Sequence, residues 1–176
     1  MLFRSSSLCS ISLIGYGQSY VPEKGSKKIL VQPVIPIQAY AFPLSEVKIT
    51  GGPFLHAQEL DRAYLLLLKP DRLLHRFHLH AGLPVKDSIY GGWEQDGLSG
   101  HTLGHYLSAC ALLYESTGDK EIKRRIDYVV SELSRCQQAR GSGYVGAIPR
   151  EDSLFAQVAR GEIRSSGFDL NGGWSP

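Results

Sequence analysis

Two helices joined by a Gly-Asp pair constrain this chain more than any other feature. Leu103, Tyr106, Leu107, Cys110 and Leu113 or Tyr114 recur at three- and four-residue steps, the mark of a helix with one apolar stripe. Gly118 follows, the residue type that takes the left-handed conformation just past a helix end. Asp119 comes next, with a side chain able to accept from the first free amides of a new helix. Ile122, Ile126, Val129, Val130, Leu133 and Cys136 then form a second stripe, which Gly141 closes. Lys123, Arg124, Asp127, Glu132 and Arg135 fall mainly on the opposite face. A connection this short turns the second helix back along the first, so the pattern predicts an antiparallel helical hairpin.

The remaining segments extend that architecture. Residues 1–28 read as a leader or tail. Arg4 followed by Leu8 to Gly15 is signal-like without a small-x-small cleavage site, which leaves export and a cytoplasmic location as alternatives. Residues 29–50 read as an extended arm: Val31, Val34, Ile35 and Ile37 favour strands, Pro33, Pro36 and Pro43 restrict pairing, and Leu44 to Ile49 suits one more short strand. Residues 51–176 read as helical. Leu60, Tyr64, Leu67 and Leu68 mark a helix between Phe54 and Leu68, Pro70 opens another over Asp71 to His80, and Glu151 to Arg160 is a weaker one. Gly167 to Pro176 resembles a loop ahead of a further helix. The fold class is therefore all-α, built of stacked hairpins.

Composition narrows the function. A chain of 176 residues, 43% apolar and 20% charged, suits one globular domain. A net charge of +2 with no basic stripe argues against a nucleic-acid partner. No stretch approaches the roughly 20 apolar residues of a membrane span. Cys9, Cys110 and Cys136 match no zinc template and read as small buried residues. Phosphate-loop, dinucleotide and G-x-S-x-G signatures are absent.

Chemistry-bearing residues gather between Tyr90 and Ala109. His101 and His105 stand four apart, about 40° around a helix, so they share one face. That pair suits sugar contact, structural hydrogen bonding or metal chelation. The H-E-x-x-H glutamate and an identifiable third ligand are missing, so no metal site is assigned. Glu94 beside Trp93 reads either as a general acid or as a loop anchor, and a lone carboxylate is not the pair a glycosidase needs. Trp93 and Tyr90 suit stacking on a sugar ring or anchoring the loop. His75, His78 and His80 with Arg72 and Arg76 read as a solvated, ion-paired surface.

These residues also carry a family resemblance. Gly52-Pro53-Phe54, Ala57 to Arg62, Pro70 to Leu74, Tyr90 to Glu94, Gly100-His101, Gly104 to Ala109 and Phe168 to Trp174 occur in collinear order. Over about Leu44 to Pro176 the chain resembles the β-L-arabinofuranosidase-like glycoside hydrolases of families 127 and 146. The resemblance implies the N-terminal part of an (α/α)6 barrel and retaining hydrolysis of terminal β-L-arabinofuranosides. It also implies zinc as a cofactor, with a cysteine thiolate nucleophile held by three cysteines and a glutamate, and a separate glutamate acid/base. Those catalytic groups and zinc ligands are expected beyond this chain, so no catalytic residue is assigned within it. The early pocket elements that transfer are Trp93, Glu94, His101, His105 and Tyr144, as substrate contacts. The implied partners are a carbohydrate and the rest of the chain's own barrel, and the 176 residues alone are expected to be inactive. The alternatives are a non-catalytic helical module that binds glycan or protein, and another (α/α)-barrel carbohydrate enzyme.

Overall fold

Asp119 shows how local sequence sets the architecture: its carboxylate accepts from the amides of Glu121 (2.8 Å) and Ile122 (3.1 Å), and the chain turns there. Just before it, Gly118 adopts φ +72° and donates its amide to Tyr114, ending the preceding helix. In the computed structural model, which describes residues 34–35, 42, 44–92, 95, 100–148, 150–166, 169–170 and 173–174, this turn joins the two longest helices. The helices are α1 (Gly52–Leu67), α2 (Pro70–Leu73), α3 (His75–His80), α4 (His101–Thr117), α5 (Lys120–Arg140) and α6 (Glu151–Ala159). Three two-residue strands follow, β1 (Ser165–Ser166), β2 (Asp169–Leu170) and β3 (Gly173–Trp174), paired antiparallel in chain order. The chain divides into two units, residues 1–48 and 49–176. The fold is all-α, and among the described residues no helix is long and apolar enough to cross a membrane.

The expected hairpin is present as α4–α5, and it carries the core. Leu103, Tyr106, Cys110 and Leu113 from α4 meet Ile122, Val129 and Cys136 from α5. Leu65 of α1, Leu73, Leu74 and Phe77 of the α2–α3 region, and Ala147 complete the cluster. Leu74 and Ile122 are fully buried, and each such side chain contributes about 1.5–3 kcal/mol. Leu74 also interrupts the single helix expected over Asp71 to His80, dividing it into α2 and α3.

Three expectations require correction, and α1 shows a face that spacing alone does not assign. Leu60, Tyr64 and Leu67 lie exposed while Leu65 points inward, and Leu66 and Leu68 pack partly against the core. The helix presents two apolar faces, and α4 covers only one of them. Glu132 was placed on the solvated face of α5, but it is buried, because His78 and Lys86 reach it from other segments and Arg135 from its own helix. Leu44 to Ile49, expected as a strand, instead holds a 3-10 turn over Leu44–Glu46, closed by the Val47 amide donating to the Leu44 carbonyl. The tail from Gly167 onward, expected as a loop, contains the β2 and β3 pairing. The remaining residues of the extended arm fall mostly outside the described residues, and the signal-like segment falls wholly outside them.

Arg125 fastens the hairpin to α1. Its half-buried guanidinium donates to the carbonyls of Leu65 (3.2 Å), Leu66 (2.6 Å) and Leu68, and to the Tyr106 hydroxyl. These carbonyls lie at the C-terminal end of α1, where helix geometry leaves acceptors unpaired and the dipole favours a cation. At the other side of the same helix pair, Arg62 forms an ion pair with Asp119, which together with the capping amides holds that carboxyl below its ordinary value.

Candidate functional site

An antiparallel hairpin brings the start of α4 and the end of α5 to one end of the bundle, and the end of α3 and the start of α6 join them there. Gly100 makes the approach possible. It holds φ +94°, and a Cβ at this position would stand 2.8 Å from the Phe77 ring and 3.4 Å from Ala147 Cβ. Only a hydrogen fits there, and only glycine takes that backbone conformation freely. The close contact sets Ala147, in the loop that also carries Tyr144, against the residue preceding His101 at the N-terminus of α4.

His101 and His105 both lie exposed on α4. Their Nε2 atoms are 3.1 Å apart, with ring centroids at 4.5 Å and planes at 83°. One ring nitrogen donates and the other accepts. Four-residue spacing on a helix delivers this arrangement directly.

Tyr144 is partly exposed. Its ring meets Phe155 edge to face at 5.3 Å and lies 5.3 Å from the Arg140 guanidinium. Burial pushes its phenol above the ordinary value, and the neighbouring Glu151 carboxylate adds to the shift. Glu151, buried at the first turn of α6, pairs with Arg140 and accepts the Ile148 amide at 3.1 Å. Arg140 also pairs with Asp152. A Cβ on Gly146 would come within 2.7 Å of the Tyr144 hydroxyl and closer still to Glu151, so a side chain there would displace one or both of them. His80, at the end of α3, lies near the same charges. Burial lowers its pKa, with Glu151 opposing the shift.

The Arg140–Glu151 pair was not singled out from the sequence. Glu151 read there only as a helix start, and a carboxylate in a first turn is ordinarily explained by the helix dipole. Its burial depends on Arg140 arriving from the end of α5, a contact that spacing along the chain does not announce.

Trp93 and Glu94 lie outside the described residues. Around them the loop is held by side chains of α2 and α3. Arg72 donates to the carbonyls of Ser88 and Ile89 (both 3.1 Å), His75 Nδ1 to that of Asp87 (2.7 Å) and Arg76 to that of Gln95 (2.6 Å). Tyr90 accepts the Lys69 amide at 3.0 Å while its ring lies beneath Arg72, so its observed contacts are those of a loop anchor. Of the cluster expected as a solvated or ion-paired surface, Arg72, His75, Arg76 and His80 are half-buried and only His78 is interior. His78 is buried and its Nε2 bonds Glu132 at 2.8 Å. Burial alone would raise the Glu132 carboxyl, but hydrogen bonds from Lys86 and Arg135 outweigh it and hold the group at about 2.

The two described cysteines, Cys110 and Cys136, are free and buried in the hairpin interior. Burial raises both thiols, opposite to the shift that a thiolate nucleophile or zinc ligand requires. Among the described residues no three His, Cys, Asp or Glu side chains are grouped to hold a metal ion. The donor set described here therefore does not fit the zinc–thiolate centre implied by the resemblance.

Comparison with known proteins adds the family context. Residues 46–176 match the family model for the β-L-arabinofuranosidase, GH127 catalytic domain. No curated protein matches the chain.

Proposed function

This chain belongs to the GH127 β-L-arabinofuranosidase catalytic-domain family, whose fold is an (α/α)6 barrel, and we propose that it forms the sugar-binding wall of such a barrel. It is a glycoside hydrolase of the arabinofuranosidase type, and its substrate is a carbohydrate. The proposed substrate is a terminal β-L-arabinofuranoside. The observation that carries this reading is the exposed His101–His105 pair at the junction with the Tyr144 loop. Imidazole nitrogens there offer a donor and an acceptor to sugar hydroxyls, and the Tyr144 face offers a surface for the ring. Trp93 and Glu94 belong to the same proposed wall by their place in sequence.

The nucleophile and the acid/base are proposed to come from residues other than those described. The buried thiols of Cys110 and Cys136 support this, because a thiol sealed among apolar side chains is inert. The outward apolar residues Leu60, Tyr64 and Leu67 of α1 support further helices packing there.

Turnover and binding test the two parts separately. The 176-residue chain is expected to release no product from an aryl β-L-arabinofuranoside, with or without added zinc; zinc-dependent turnover would overturn the placement of the nucleophile. Calorimetric titration is expected to show L-arabinose binding that weakens in His105→Ala. Equal affinity in that variant would remove the histidine pair from the sugar wall.

A further inference from the structure

We propose that His101 and His105 form a two-nitrogen chelate for a late first-row divalent cation, with Cu²⁺ bound most tightly. Imidazole nitrogens hold such ions at about 2.0–2.1 Å. Two bonds of that length, opening between a right angle and the tetrahedral angle, separate their nitrogens by about 2.8–3.4 Å. The two Nε2 atoms already stand 3.1 Å apart, so the spacing is in place before any ion arrives, and side-chain rotation need only turn both lone pairs from each other toward one point. Both hang from one regular helix, four residues apart, which fixes their spacing.

Binding replaces one N–H···N hydrogen bond with two metal–nitrogen bonds. The donating ring moves its proton from Nε2 to Nδ1 through solvent, leaving both Nε2 lone pairs for the ion, with no net proton released. Both rings are exposed, so the cation keeps water in its remaining positions. Two protein nitrogens with water in the other positions make this an open site, unlike the closed four-ligand centres of structural zinc. Imidazole donors and open geometry place Cu²⁺ ahead of Ni²⁺ and Zn²⁺ in affinity. The inference does not depend on the sugar-binding reading.

Calorimetry of the full 176-residue chain with CuCl₂ in a non-chelating buffer tests the site. One equivalent should bind, and His101→Asn and His105→Asn should each weaken binding at least ten-fold. His56→Asn, which changes an exposed histidine on α1, should leave affinity unchanged. Circular dichroism establishes that each variant keeps its helices, and if one does not, the other decides. Wild-type affinity in a folded His101→Asn or His105→Asn variant would overturn the proposal, as would an equal loss in His56→Asn.

Discussion

The histidines of α3 and those of α4 occupy similar positions in sequence pattern and opposite positions in energy. His78 is buried against Glu132, and Lys86 and Arg135 surround that carboxylate. His101 and His105 are exposed and bond one another. A buried imidazole on a paired carboxylate is committed to the fold, since either partner left alone would be an unsatisfied buried group. An exposed imidazole pair is available to an incoming molecule. Both sets sit in histidine-rich stretches, and burial separates the imidazole committed to the fold from the pair open to solvent.

The sharpest way to break this comparison is to remove Glu132. Glu132→Ala leaves His78 and the converging cations without their acceptor and is expected to cost about 3 kcal/mol in urea denaturation. A loss under about 1 kcal/mol would show that the α3 histidine is not structurally committed. The same residue predicts a pH dependence. Its carboxyl is held at about 2 against an ordinary 4.5, so its stabilisation is fully present above 4.5 and disappears as pH falls toward 2. Glu132→Gln should flatten stability across that interval, and an unchanged acid profile would contradict the cause assigned here.

Arg125→Ala comes next, at about 2 kcal/mol, because three carbonyls ending α1 lose their donor. Faster amide exchange in the last turn of α1 should accompany it. Asp119→Ala should cost about 1 kcal/mol in melting experiments through loss of the α5 cap. Smallest in stability, His101→Ala and His105→Ala should each stay within about 0.5 kcal/mol of the parent. L-arabinose affinity should nevertheless fall about ten-fold. A melting loss matching that of Glu132→Ala would move this pair to the structural side of the comparison.

The sequence made the hairpin legible because its signals are local. Asp119 as a cap and Gly118 and Gly141 as stops depend only on neighbouring backbone, and all three act as expected. Orientation was harder. Leu60, Tyr64 and Leu67 obey helical spacing, but spacing does not say which of two apolar faces a neighbour covers. Glu132 looked solvated because Lys86 and His78 reach it from 46 and 54 residues away along the chain. In the candidate site, the His101–His105 pairing followed from their separation, whereas the Arg140–Glu151 support beneath Tyr144 required tertiary contact.

The loop leading toward Trp93 is gripped through its main chain. Arg72, His75 and Arg76 hold carbonyl oxygens of residues 87, 88, 89 and 95, atoms that every amino acid supplies. The shape of that segment is thus stored in α2 and α3, while side chains such as Ser88 and Ile89 remain open to replacement. A lineage carrying this arrangement can explore new loop sequences without rebuilding the scaffold that presents them.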